Sequence, residues 1–294
     1  MTDRVADEFG GELDRLLRRA HQQLGAAGLR VVKFIDENRQ VVLASSAAAL
    51  GSRIGTSDAT VVRTVQALGF AGLGDLKRAI LTSGGRTSTP ADDMRRTLGD
   101  LDKSTGRALD SVLQAHSDGL AVLASPACRA QIAAAVQLLD GAERIAVFGI
   151  GPSAALATYV ATLLARSGRS SRTINATGSM LADQLLDLKR GDRLLILAYG
   201  RLHKEVRTVF AEAKALGLAT VLVTEASDTP LAKLADVAVA IPRGRPGQVS
   251  LHGATLVGLE AMVLSLAAAK PDAALASLDK LNRLRRATES KLRT

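Results

Sequence analysis

Residues 144–154 read RIAVFGIGPSA, a short apolar run followed by a glycine turn. The run Arg144–Phe148 is typical of a strand that is covered on both faces of a sheet. Gly149, Gly151 and Ser153 then predict a turn whose backbone N–H groups lie at a helix N-terminus. Anions such as phosphate bind readily at that position, so the sequence predicts an anion site here.

The same alternation of strands and helices continues downstream of this turn. The predicted strands are Ser171–Ala176, Arg193–Ala198, Ala219–Thr224 and Val237–Ile241, and the predicted helices are Ser153–Ser167, Met180–Leu188, Lys204–Leu216 and Leu251–Ala269, with a short helical turn at Leu231–Leu234. Strands that alternate with helices indicate βαβ units. We therefore predict an α/β domain with a mostly parallel five-stranded sheet.

The glycine turn also fits the spacing Gly-x-Gly-x-x-Ala of a dinucleotide-binding fold. Such a fold needs an acidic residue at the end of the next strand to bind the ribose, but that strand ends near Asn175. Pro152 would also remove one backbone donor from the turn. We therefore expect no NAD and no other cofactor, while a turn that only packs and binds nothing remains an alternative.

A second pattern lies upstream of the α/β domain. Its elements, in order, are a Ser46 cap, a helix at Ala47–Ile54, a turn at Gly55 and Thr56, a Ser57 cap, a helix at Asp58–Leu68 and a stop at Gly69. Serine side chains cap helix N-termini, and glycine commonly follows a helix C-terminus. Two helices joined by such a turn form a helix-turn-helix. A plain helical hairpin with a solvated outer face has the same spacing and stays open on this evidence.

The second helix of this pair has two different faces. Its inward face is predicted to hold Val61, Val62, Val65 and Leu68, and its outer face Thr60, Arg63, Thr64 and Ala67. The outer face is small and polar, so it could approach a major groove, where Arg63 could contact a guanine edge or a phosphate. The predicted DNA contacts are Ser46, Thr56, Ser57, Asp58, Thr60, Arg63 and Thr64.

Residues 30–82 resemble a known family. The segments TSDATVVR (56–63) and LGFAGLGDLK (68–77) are similar to the RpiR-type bacterial transcriptional regulators, which have a Ser-x-Ala-Thr-Val-Val-Arg recognition helix followed by Leu-Gly-Phe-x-Gly-Phe. The resemblance implies that this region binds DNA. The family joins this domain to a sugar isomerase (SIS) domain, to which residues 121–270 are similar.

The SIS resemblance rests on three stretches: the turn GIGPS, the segment AKALG with the strand VLVT after it, and PLAKLAD ahead of the last strand. It implies that Ser153 contacts a phosphate. One loop departs from the family, because AYGRLHKE at residues 198–205 replaces the usual Ser-x-Ser-Gly-x-Thr. The loop keeps one phenol and gains charges that can bind an anion. The predicted effector contacts are Gly149, Gly151, Ser153, Tyr199, Arg201 and His203.

An enzymatic interpretation rests on His203 and Glu205, which could form the acid–base pair of a phosphosugar isomerase. At positions i and i+2 of a helix they would not share a face, so we expect them to begin the helix and expect no catalytic residue. The other three histidines have no metal-ligand spacing, and the single cysteine, Cys128, excludes a disulfide framework or a cysteine-built zinc site. No metal site is expected.

Composition limits the classes of partner. The chain has 294 residues and a net charge of +9, and most of the excess lies in residues 1–86 and 270–294. Basic ends favour nucleic acid or anionic ligands, while aromatic residues at 2% disfavour single-strand stacking platforms. The basic tail, Lys280–Arg293, is predicted to be a solvated helix. No apolar run is long enough for a membrane span, and Met1–Arg19 lacks a signal core, so we expect a cytoplasmic protein.

Domain boundaries follow from residues 83–90, SGGRTSTP, which predict a linker. We expect a helix-turn-helix domain at 1–83, a linker and connecting helix at 84–120, and a domain for effector sensing and dimerisation at 121–294. The expected function is a homodimeric transcriptional regulator that binds double-stranded DNA and senses a small anionic metabolite, a phosphosugar or a sugar acid. The alternatives are a phosphosugar isomerase-like enzyme with an accessory helical domain, and a regulator whose SIS domain only dimerises.

Overall fold

A computed structural model describes residues 24–82, 90–101, 105–200 and 202–289. These residues form two compact units. The first unit contains the described residues up to Ala127 together with Glu225–Thr229 and Ala240–Ala254. The second unit contains Cys128–Thr224, Pro230–Val239 and the described residues from Thr255 onward. The domain boundaries expected at residues 83 and 120 stay a prediction.

The described residues of the first unit up to Leu123 are mainly helical. Its helices are α1 Ala26–Glu37, α2 Arg39–Ala44, α3 Ala47–Ile54, α4 Asp58–Ala67, α5 Leu73–Thr82, α6 Pro90–Asp100 and α7 Thr105–Leu123. Helices α1 to α5 enclose an apolar cluster whose largest fully buried side chains are Ile35, Leu50, Leu76 and Ile80. The linker predicted at residues 83–90 lies outside the described residues except for Pro90, which begins α6.

The second unit holds the sheet. Its elements are α8 Pro126–Asp140, β1 Arg144–Gly149, α9 Pro152–Arg166, β2 Ser171–Ile174, α10 Ser179–Leu185, β3 Asp192–Leu197, α11 Lys204–Leu216, β4 Ala219–Thr224, a 3-10 turn at Ala232–Leu234, β5 Val237–Ala240, α12 Gly253–Ala269 and α13 Pro271–Glu289. Phe148, Ile174, Leu194 and Ile196 are fully buried in its core. The predicted bounds of α11 and β4 match the structure at both ends.

The strand order fixes where a ligand would bind. The order is β2-β1-β3-β4-β5, and the pairs β1–β2, β1–β3 and β3–β4 are parallel. The chain passes from β1 to β2 on one side of β1, and then returns to β3 on the other side. The direction in which strands are added therefore reverses between β1 and β3. Ligands of open α/β sheets bind at the carboxyl ends of the strands at such a switch point. The predicted fold class, a helical domain followed by an α/β domain with a mostly parallel five-stranded sheet, is confirmed.

The described residues contain no group of three or more His, Cys, Asp or Glu that could hold a metal ion. Cys128 is buried, and burial raises the pKa of its thiol to about 11, so the thiol stays protonated at neutral pH. No single described helix is long and apolar enough to cross a membrane, although two bent helix pairs, 106–123 with 126–140 and 253–269 with 271–288, reach that length and composition together.

Candidate functional site

Serine side chains begin both helices of the predicted helix-turn-helix. The Ser46 Oγ accepts a hydrogen bond from the backbone N–H of Ala49 at 3.2 Å, and the Ser57 Oγ accepts one from Thr60 at 3.1 Å. Gly55 ends α3 in the left-handed conformation, with φ at 70°. The predicted caps and the predicted bounds of α3 are therefore confirmed. The sequence could predict them because each cap depends on residues fewer than five positions apart.

One glycine allows the two helices to pack closely. A Cβ atom at Gly51 would lie 2.8 Å from the carbonyl oxygen of Thr56 and 3.0 Å from the backbone nitrogen of Asp58. Any larger residue at this position would push α3 away from the turn that leads into α4. Gly51 was not among the predicted site residues, although it sets the position of α4 relative to α3.

The exposed face of α4 holds most of the predicted DNA contacts. Ser57, Asp58 and Arg63 are exposed, and Thr60 is half-buried. The Arg63 Nε donates a hydrogen bond to the carbonyl oxygen of Ala59 at 3.2 Å, so this side chain lies back along its own helix. The face is thus small and polar with one guanidinium, which suits a close approach to DNA.

Thr64 departs from the prediction. Its side chain is 4% exposed and its Oγ1 donates a hydrogen bond to the carbonyl oxygen of Thr60 at 2.8 Å. Thr64 lies three residues after Val61, so both occupy the inward face of α4. A Cβ atom at Gly28 in α1 would lie 3.5 Å from the Thr64 hydroxyl. The assignment of Thr64 to the outer face is wrong, because packing against α1 covers it.

The predicted anion turn follows β1 in the second unit. Gly151 has a φ of 58°, Pro152 is the first residue of α9, and Ser153 is 5% exposed. A Cβ atom at Gly149 would lie 2.5 Å from the carbonyl oxygen of Ser153, so only glycine fits where the strand meets the helix. Because the N-cap residue is Gly151, α9 begins without a side-chain cap. Pro152 has no N–H, and the N–H of Ala154 donates to the carbonyl oxygen of Gly151 at 3.1 Å, but the oriented start of the helix still favours an anion.

The loop after β3 leaves the sheet beside this turn. Gly149 and Leu197 are register partners in the β1–β3 pair, so both loops begin at the same edge. Tyr199 is buried, and His203 is exposed at the N-cap of α11, where its side chain makes no capping hydrogen bond. Arg201 lies outside the described residues. The sheet therefore brings the starts of the two predicted loops together.

A third loop at this edge was not predicted. The Gln184 Oε1 accepts hydrogen bonds from the backbone N–H groups of Asn175 and Ala176 at 2.9 and 3.0 Å. Phe148 and Ile174 are register partners in the β1–β2 pair, so this loop leaves the sheet next to the glycine turn. No sequence signal links a glutamine in α10 to a loop nine residues earlier, since neither belongs to a recognisable motif.

Two family models match the chain. The model described as a helix-turn-helix domain of the rpiR family matches residues 11–83, and the model described as an SIS domain matches residues 138–269. An HTH-type transcriptional regulator of Caldanaerobacter subterraneus subsp. tengcongensis is 27% identical over 217 residues, which cover 71% of this chain and 72% of the relative. The bifunctional protein glk of Paraburkholderia xenovorans is 26% identical over 244 residues, but this chain spans only 37% of its length.

Two solved structures share the fold. The sugar isomerase domain of an RpiR transcription factor from Sphaerobacter thermophilus has a TM-score of 0.55 at 22% identity and covers 62% of this chain and 99% of that domain. The Vibrio vulnificus NanR protein has a TM-score of 0.50 at 22% identity and covers 92% of this chain and 97% of that protein.

These matches define the class as a helix-turn-helix regulator with an SIS domain. The chain belongs to the RpiR-type bacterial transcriptional regulators.

Proposed function

We propose that this regulator binds two half-sites on double-stranded DNA as a homodimer and releases or tightens them when its SIS domain binds a small anionic metabolite. One recognition helix buries too little surface for tight specific binding. Two copies would place their α4 helices in successive major grooves, about 34 Å apart. The residues proposed to contact DNA are Ser46, Thr56, Ser57, Asp58, Thr60 and Arg63.

The observation that carries the effector proposal is the turn from Gly149 to Ser153. This turn lies where the strand order reverses, and it begins a helix without a side-chain cap. Gly151 has open space around it, so a ligand can approach the backbone there. Oriented N–H groups and a helix dipole at one point favour negative charge. Ser153 can donate its hydroxyl to the same anion.

The loop after β3 supplies the proposed second contact. The family's hydroxyl-rich sequence is replaced here by one with Arg201, His203 and Lys204. A guanidinium binds phosphate or carboxylate with two parallel N–H groups. We therefore propose that charge replaces the usual hydroxyl cradle, so that a sugar acid would fit as well as a phosphosugar. The NanR structure contains ManNAc-6P, which supports the phosphosugar class.

We also propose that the chain does not convert its effector. His203 is exposed at the N-cap of α11 and Glu205 is half-buried two positions later, so the pair lacks the shared face that proton transfer on one substrate needs. An isomerase activity is the second candidate, favoured by the presence of these two groups beside the proposed anion site. Incubation with fructose 6-phosphate, arabinose 5-phosphate and glucosamine 6-phosphate, followed by product analysis, distinguishes the two, since turnover abolished by His203→Ala would establish the enzyme.

A thermal-shift screen of the full chain with sugar phosphates, sugar acids and inorganic phosphate tests the effector proposal. A ligand at 100 times its Kd adds about 2.7 kcal/mol, which raises the Tm by about 5–10 °C for a domain of this size. Ser153→Ala is expected to reduce the shift and Arg201→Ala to abolish it. Lys233→Ala, an exposed cation outside both loops, is the matched control. A panel without any shift, or a full shift in Arg201→Ala, would contradict the charged site.

A further inference from the structure

The first unit contains a buried lysine. Lys77, in α5, is 3% exposed, and its Nζ lies 3.2 Å from the Oδ2 of Asp228. Lysine is almost never fully buried unless it is paired. Asp228 is half-buried, with 37% of its side chain exposed, and its Oδ1 is buried without a hydrogen-bond partner among the described residues. The ion pair therefore joins a buried cation to a carboxylate that is only partly satisfied.

Asp228 belongs to Glu225–Thr229, called here the post-β4 segment because it follows Thr224, the last residue of β4. Ala226 is 0% exposed and packs within the apolar cluster of helices α1 to α5. Glu225 accepts two hydrogen bonds from the guanidinium of Arg243, at 2.9 and 3.2 Å. The segment is thus held at its start by an ion pair, in its middle by apolar packing, and near its end by Lys77.

Stability alone does not explain the pair between Lys77 and Asp228. Burial lowers the pKa of Lys77, and the carboxylate of Asp228 offsets only part of that effect. Replacing a buried ion pair with apolar side chains is often neutral or stabilising. The best-attested use of a buried ion pair is to favour one of two alternative conformations of the protein. The pair can do this because its contact forms only when both groups are correctly placed.

The chain connects this pair to the edge of the sheet that holds the proposed effector site. Within the second unit, the backbone N–H of Ala198 donates a hydrogen bond to the carbonyl oxygen of Val223 at 3.2 Å. The end of β4 therefore lies beside the start of the loop that contains Tyr199 and His203. Only three residues separate Thr224 from Asp228. Because this connection is so short, a displacement at the end of β4 is expected to move Asp228 as well.

We propose that the post-β4 segment transmits the state of the effector site to the helix-turn-helix, and that the ion pair between Lys77 and Asp228 is the contact through which it acts. The inference rests on the proposed function, since it needs both an effector and DNA. Coupling between two sites is reciprocal, so DNA bound at α4 must also change the end of β4. This reciprocity provides a test that requires no effector.

The test measures amide hydrogen exchange on the full chain with and without a duplex selected on the wild-type protein from a random-sequence pool. In the wild type, DNA is expected to change exchange of residues 221–229 at least about fivefold, the lower range of allosteric coupling. In Lys77→Met, which removes the buried cation, the change is expected to vanish at residues 221–229 and to persist in α4. Asp228→Asn is expected to behave in the same way.

Arg78→Gln is the matched control, because it breaks an exposed pair with Asp75 on the same helix. It is expected to keep the wild-type response. A wild type in which DNA leaves residues 221–229 unchanged, or a Lys77→Met variant that keeps the change, would overturn the inference alone. Failure to select any duplex would overturn the proposed function, and the inference with it. Should Asp228→Asn fail to fold, Lys77→Met still decides, because it removes the buried cation and leaves a carboxylate whose side chain is 37% exposed to water.

Discussion

The helices of the two candidate sites begin in different ways. Serine side chains cap α3 and α4 in the first unit, at 3.2 and 3.1 Å from the N–H groups that they accept. In the second unit α9 begins at a glycine and α11 at a histidine whose side chain makes no capping bond. A capped helix has already used part of its N-terminal donors, so its exposed face is what remains for binding. An uncapped helix keeps those donors for an anion, apart from the one that Pro152 lacks in α9.

Two glycines allow the largest perturbation of each site. In Gly149→Ala the new methyl group would lie 2.5 Å from a backbone oxygen in the second unit, and in Gly51→Ala 2.8 Å from one in the first. Because backbone cannot move as a flexible side chain does, each change is expected to cost about 2–3 kcal/mol. Urea unfolding monitored by hydrogen exchange should locate each loss in its own unit. Gly72→Ala, with open space around it, is the control. Loss of protection in both units from either change would show that the sites do not fold separately.

Arg63→Gln tests whether the exposed face of α4 binds DNA. The change keeps a polar side chain but removes the guanidinium, and it is expected to cost about 1–3 kcal/mol of binding free energy if Arg63 contacts a base. Fluorescence anisotropy with the selected duplex, measured at two salt concentrations, separates a base contact from a phosphate contact. Arg30→Gln, an exposed cation in α1, provides the comparison. Equal affinities of the Arg63→Gln and wild-type chains would exclude this face.

The stability of the first unit is expected to depend on pH through His252. Burial, with the nearby charge of Arg243, lowers the pKa of His252 to about 4. In the unfolded chain the imidazole of His252 takes up a proton near pH 6.5, whereas in the folded chain it does so only near pH 4. Stability should therefore be complete above pH 6.5 and fall as the pH drops to 4, by about 1–2 kcal/mol once the linkage value of about 3 kcal/mol is reduced for the partial exposure of His252 to water. Unfolding curves at pH 7.5, 6 and 5 measure this, and a His252→Gln variant with the same pH dependence would refute it.

The smallest expected effect separates the two kinds of helix start. Ser57→Ala should lower the free energy of unfolding by about 1 kcal/mol, because it removes a capping hydrogen bond. His203→Ala should change the stability by less than about 0.5 kcal/mol, the usual effect of a surface substitution, and weaken anion binding instead. Chemical denaturation of both variants, with the thermal shift for His203→Ala, gives the comparison. A larger stability loss in His203→Ala would mean that its side chain does cap α11.

Local signals in the sequence determined much of this protein. The caps at Ser46 and Ser57, the turn at Gly55 and the bounds of α11 and β4 all depend on residues within a few positions of each other, and the structure confirms them. The α/β fold class follows for the same reason, since the alternation of apolar strands and amphipathic helices is visible in the order of residues along the chain.

Tertiary structure alone decided the rest. Thr64 is buried because α1, some 36 residues earlier, covers that side of α4, and helical periodicity within α4 does not reveal the position of another helix. Gln184 and the pair of Lys77 with Asp228 join elements whose proximity depends on strand order and packing. Such contacts arise only after the chain has folded, because a side chain's hydrogen-bonding capacity is encoded at its own position whereas its partner is chosen by the fold.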